Sequence, residues 1–261
     1  MGRLRRLRRR PRLTVERLHH IRTQLISRAR HDARITAAAL TGSAARDAED
    51  RWSDVDLFFG VAASVPIPDV LADWTAYAYA ELGAVHHFDL QAGPATYRAF
   101  LLAELLEVDL GFASAPDFGP LGDGAFRLLF GEAAPRVLGT ADPDHLIGLA
   151  WHHVLHARNS IERGALWQAE YWISALRDHT LTLACLRLGL PDAYAKGADR
   201  LPPEVTAPVR QALVRSLDPA ELARALGAAT EALLGELQET DAAAARRLEQ
   251  PLRALSRRTA G

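Results

Sequence analysis

The chain has 261 residues, half of them apolar, with a net charge of −1, one cysteine and no apolar run of the ~20 residues that a membrane-spanning helix needs. A single cysteine excludes an intrachain disulfide and suits a reducing, cytoplasmic setting. Residues 1–12 carry seven arginines and no acid, so the charge of −1 becomes −8 over the remainder, and an acidic body argues against broad nucleic-acid binding.

Residues 1–13 read as a basic disordered leader. They do not read as a secretory signal, because no apolar stretch follows Arg12. Residues 14–32 place Val15, Leu18, Ile21, Leu25 and Ile26 on one face of a helix. A short apolar run, Ile35 to Leu40, is stopped by Thr41-Gly42-Ser43. Residues 44–53 are small or charged and read as a loop with one helical turn. Asp54 to Val61 is β-branched and aromatic, as strands are. Asp69 caps a helix to about Leu82, and residues 84–91 form a strand that ends at Gly93-Pro94. Residues 96–113 read as a hairpin turning near Ala103-Glu104, with a helix over 98–108 as the alternative. Residues 116–140, rich in glycine and proline, read as an interdomain linker.

Beyond the linker the texture is helical throughout. Asp142-Pro143 opens a helix to about Glu162, and a second spans about 166–188 before Gly189. Pro202-Pro203 and Asp218-Pro219 open two more, with Pro251 breaking or kinking the last. The expectation is α+β: a small mixed β-sheet domain over 14–115, then a helical bundle over 141–261.

The informative motif is Leu40-Thr41-Gly42-Ser43, ten residues, then Asp54-Val55-Asp56-Leu57. In a strand, residues 54 and 56 share a face. Two carboxylates side by side repel one another unless a cation lies between them. Aspartate oxygens suit Mg²⁺, which takes its other ligands from water and phosphates. Gly42 lets the backbone approach a phosphate closely, and Ser43 adds a hydroxyl donor.

This arrangement resembles the nucleotidyltransferase superfamily, which includes DNA polymerase beta, kanamycin nucleotidyltransferase and other antibiotic adenylyltransferases. The helical half is similar in texture to the C-terminal bundle of the kanamycin nucleotidyltransferase-like members. The resemblance implies one or two Mg²⁺ ions held by Asp54, Asp56 and a third acid on a later strand. Asp109, between Val108 and Leu110, fits that role, with Asp89 as its competitor. It further implies an NTP substrate, ATP first, with Gly42 and Ser43 at the phosphates. The product would be a nucleoside monophosphate joined to a hydroxyl of a small acceptor, such as an aminoglycoside or lincosamide. The site would lie in the cleft between domains. Two alternatives stay open: an RNA- or protein-modifying transferase, and a non-enzymatic toxin–antitoxin partner. A homodimer is compatible with the sequence.

In the helical half, Arg158 is a candidate for the triphosphate because its planar fork matches phosphate oxygens. Lys196, beside Gly197 in a loop, is a second, and Glu170 is a candidate acceptor-binding residue. His152 and His156 are one helical turn apart, a spacing that can bind a metal, although packed histidines are the simpler reading. Arg177 and Asp178 read as members of a buried network. Trp52, Trp151, Trp167, Tyr171 and Trp172 read as packing residues.

Overall fold

The computed structural model describes residues 15–120, 124–135 and 142–256. The expected leader, residues 1–13, lies outside them. The chain divides between residues 138 and 139 into two compact units, a sheet unit and a helical unit.

The sheet unit opens with α1 (Val15–His31), which buries Leu18, Ile21, Leu25 and Ala29 along one stripe. Six strands follow: β1 (Ile35–Thr41), β2 (Val55–Val61), β3 (Ala84–Ala92), β4 (Ala95–Leu102), β5 (Glu107–Ser114) and β6 (Phe126–Phe130). A helix, α2 (Ile67–Tyr77), continued by a π-helical turn over Ala78–Leu82, connects β2 to β3. The spatial order is β3-β4-β5-β2-β1-β6. Only β2 and β5 are parallel among the described pairings; the rest of the ladder is antiparallel. The mixed sheet, and with it the α+β class, is as expected.

Side-chain alternation divides the sheet into two faces. Val55, Leu57, Phe59 and Val61 of β2 and Val108, Leu110 and Phe112 of β5 join the helix stripe in the main core. Phe59 packs at 4.8 Å on Trp74 and 5.3 Å on Phe112. Large buried side chains of this kind each contribute roughly 1.5–3 kcal/mol. The opposite face carries a small second cluster around Phe58, Phe118, Ala37 and Ala39. It also carries the intervening residues of β2 and β5, among them Asp56 and Asp109.

One expectation about this unit is corrected and another is met. Residues 126–130, assigned to the linker, form the edge strand β6 and pair with β1 from Thr41↔Phe126 to Ala38↔Phe130. Five residues without polar alternation, set among glycines and prolines, carry little local strand signal; their pairing with β1 creates the strand. The 96–113 hairpin forms, so the alternative helix over 98–108 does not.

The helical unit contains α3 (Pro143–Glu162), α4 (Leu166–Arg187), α5 (Pro203–Gln211), α6 (Pro219–Thr240) and α7 (Ala242–Ser256). Asp142 caps α3, its side chain accepting from Asp144 N at 3.0 Å. The core is built largely of small residues on α3 and α4 (Ala150, Val154, Ala157, Ala169, Ile173) against the leucines of α6. The tail holds two helices where one was expected. The chain breaks at Asp241 (φ −147°, ψ 88°), whose carboxylate accepts from the N–H groups of Ala243 and Ala244 and so caps α7. Pro251 sits inside α7 rather than ending it.

Two readings of polar and aromatic residues also change. Among the described residues Arg177 meets only its exposed neighbour Asp178, at 3.5 Å. The buried ion pair is instead Arg187 with Glu236, two bonds of 2.7 and 2.8 Å tying α4 to α6. Trp151, Trp167 and Tyr171 are exposed, and of that group Trp172 alone packs against the core. The buried stripes of α3 and α4 are lined by small residues, which leaves the large rings outside them.

Candidate active site

The strand β1 ends at Thr41, and Gly42 turns the chain in the left-handed region at φ +59°. A Cβ at this position would lie 2.0 Å from Asp56 Oδ2 and 2.7 Å from its carboxyl carbon. Glycine is therefore required twice, for the dihedral and for the close approach. The Gly-Ser turn thus lies directly against one of the paired acids. Ser43 follows in helical geometry and starts a 3₁₀ turn over Ala44–Arg46.

That turn is strapped from the sheet edge. Arg127 of β6 donates to Asp47 Oδ1 at 2.6 Å and to the Ala44 carbonyl at 2.8 Å. Sequence reasoning missed Arg127 because it placed the residue in a linker. Residues 50–53 form a second fixed turn: Asp50 Oδ1 accepts from Trp52 N, and Ser53 Oγ accepts from Asp50 N. Trp52 is 74% exposed, so it is not a packing residue; the Arg51 guanidinium lies 4.5 Å from its ring centre.

β2 and β5 run parallel in a register that pairs Asp56 with Asp109. Adjacent strands lie about 4.8 Å apart, so the two carboxylates rise as neighbours from one face of the sheet. β2 begins at Val55, so Asp54 stands exposed at the mouth of the strand, one residue before the regular ladder. Asp109 Oδ1 is buried and has no hydrogen-bond partner among the described residues. Burial first, and then the charges of Glu107, Asp56 and Asp54, push the Asp109 carboxyl up to about 7. Glu107, two residues before it on the same strand face, was not anticipated.

Asp89 is on the other face. It pairs in register with Arg98, which donates to both its oxygens at 2.6 and 2.7 Å and holds its carboxyl below the usual range. Of the two candidates for the third acid, Asp109 is the one brought beside Asp56.

The donor set can be tested for a metal on these observations. Among the described residues, no three His, Cys, Asp or Glu side chains already converge as a cage. Mg²⁺ does not need one, since it is held by one or two carboxylates together with substrate phosphates and water. An orphaned buried oxygen on Asp109, beside Asp56 and in the field of Asp54, is a site with excess negative charge that a dication would relieve. The acids present are of the kind that fits Mg²⁺.

The remaining candidates lie on the helical unit. Arg158 is on α3, its Nε buried without a partner among the described residues. Glu170 is on α4 and accepts from Ser174 Oγ at 2.6 Å. Lys196 is exposed in the loop after α4, 5.8 Å from the Tyr194 ring. Tyr194 and Ala195 both have positive φ, 54° and 56°.

No family model and no curated protein matches the chain. Among solved structures it is similar to an aminoglycoside 6-adenyltransferase from Bacillus subtilis, with a TM-score of 0.41 and 9% identity over 92% of this chain and 98% of that one. A likeness this loose transfers no residue roles. Among the described residues, no helix is long and apolar enough to cross a membrane.

Proposed function

We propose that the chain is a Mg²⁺-dependent nucleotidyltransferase that moves a nucleoside monophosphate, AMP from ATP first, onto a hydroxyl of a small molecule. The observation that carries this reading is the apposition of Gly42 and Asp56, with Asp109 in register beside them. A tight glycine turn against paired acids is the arrangement that a triphosphate and its ion require.

In this reading Asp56 and Asp109, with Asp54 at the rim, hold Mg²⁺, which when bound neutralises charge on the triphosphate. The Gly42-Ser43 turn offers backbone N–H and hydroxyl donors to the departing pyrophosphate. The Asp109 carboxylate, ionised once the cation is bound, would take the proton from the acceptor hydroxyl. The new bond joins that oxygen to the α-phosphorus, and the bond from the α-phosphorus to the pyrophosphate oxygen breaks. Catalysis would come mainly from positioning and charge compensation. Arg158 and Lys196 toward the triphosphate, and Glu170 toward the acceptor, belong to the same proposal. Their substitutions are read separately in KM for nucleotide and for acceptor.

An aminoglycoside or lincosamide is the first acceptor class to test. The experiment is pyrophosphate release from each NTP with Mg²⁺ against a panel of both classes, with the acceptor mass recorded. Acceptor-dependent release with a matching mass increase, abolished in Asp56→Ala, supports the reading. Equal release by the Asp56→Ala protein would sink it.

A further inference from the structure

The proposed transfer chemistry leaves a group of imidazoles on the helical unit unused. His152, His153 and His156 lie on α3, and His179 and Trp172 on α4. His153 is interior: it stacks on His179 at 4.8 Å and 26° and lies 4.9 Å from Trp172. His152 and His156 differ in kind. Both are half-buried, one turn apart, with ring centres only 4.1 Å from each other. Residues four apart on a helix have Cβ atoms about 5–6 Å apart, so these rings lean together. No hydrogen bond or ion pair engages either ring among the described residues.

Two imidazoles one turn apart on a helix are the donor type that a borderline metal ion takes. We propose that His152 and His156 bind a divalent transition ion of the Zn²⁺, Ni²⁺ or Cu²⁺ class. Since no three such donors converge among the described residues, the site is two-point, with solvent completing the coordination shell. Carboxylates and hard Mg²⁺ have no part in it, so it is chemically separate from the acids of the sheet unit. Two indoles stand close enough to report on it: Trp172 lies 5.2 Å from His156, and Trp151 lies 6.1 Å from His152.

The test uses the full chain. Cu²⁺ is titrated while tryptophan fluorescence is followed, and Zn²⁺ is then added as a competitor. We expect saturable quenching that Zn²⁺ relieves. His152→Gln and His156→Gln should each move the midpoint by at least about tenfold, since even outer-sphere partners of a metal contribute about 10–100-fold. Midpoints unchanged in both variants overturn the proposal. Should either variant fail to fold, the unaltered protein decides. Zn²⁺ should protect His152 and His156 from acylation by diethyl pyrocarbonate, as located by mass spectrometry. Protection found only at other histidines, or nowhere, overturns the site.

Discussion

The sheet unit and the helical unit each keep an ionisable side chain where water is scarce, and the two respond in opposite directions. In the sheet unit Asp109 is driven up to about 7, by burial first and then by neighbouring acids. In the helical unit His153 is driven down from 6.5 to about 4, by burial first and then by His179, His152 and His156. One physical cause, the cost of an uncompensated charge in a poor solvent, holds an acid protonated and a base unprotonated. What differs is the remedy at hand. The acids can recover their charge by binding a cation, whereas His153 lies stacked between rings and gains nothing from being charged.

The largest expected effects fall on the acids' capacity to hold a cation. Asp56→Asn should lower acceptor-dependent pyrophosphate release by about 10³-fold or more while leaving thermal stability unchanged or raised, since a repulsive charge is removed. Gly42→Ala should match it in activity for a different reason. The added methyl would fall 2.0 Å from Asp56 Oδ2, and the positive φ adds about 1–2 kcal/mol of strain. Steady-state kinetics with a melting curve separates the two, because only Gly42→Ala should also lose stability.

Next in size is the contrast in proton linkage. Asp109 has a folded value near 7 against 3.8 when unfolded, so between those limits the folded state holds the extra proton. Stability therefore falls as pH rises through this window, by on the order of 1–3 kcal/mol once partial hydration is allowed for. Asp109→Asn should flatten that fall, and in the native protein Mg²⁺ with nucleotide should reverse it. For His153 the unfolded chain takes the proton first, near 6.5. Stability is then complete above that value and is lost as pH falls toward 4, by about 1–2 kcal/mol. His153→Phe, which keeps the ring packing, should remove that acid-side loss. Urea midpoints from pH 4 to 8 for wild type and both variants check the contrast. Parallel shifts in the two variants would break it.

The units also differ in how much their sequences reveal. Helix starts carry local chemistry: Asp142-Pro143 marks α3 through a short-range capping bond, and Asp218-Pro219 marks α6 through a proline at the first helical position. The break at Asp241 is marked only by an aspartate before four alanines, a weaker local signal than the proline ten residues later. In the sheet unit, Gly42-Ser43 and Asp54-Val55-Asp56 were legible because both halves of the motif flank one short connection. That Asp109 and not Asp89 stands beside Asp56 was settled by strand register, which sequence does not print. Asp89 has its own nearby arginine in Arg98, and that pairing became visible only once β3 and β4 were aligned. β6 was missed for the same reason, since its partner β1 lies far upstream.

The smallest predicted effect tests whether that hidden strand serves the site. Arg127 touches neither Asp56 nor Asp109 in any described bond; it reaches the turn after Ser43 through Asp47 and the Ala44 carbonyl. It is half-exposed and its partner Asp47 more so, which limits the worth of the ion pair to well under 1 kcal/mol. Arg127→Ala should therefore cost little stability. Freed from its strap, the turn would present its donors to the triphosphate less uniformly, which raises KM for the nucleotide about three- to tenfold and leaves kcat within about twofold. Arg127→Lys should restore part of the loss, because one of the two bonds can be remade. A fall in kcat with KM unchanged would mean instead that β6 acts on the acids themselves, through its pairing with β1, and not on the turn.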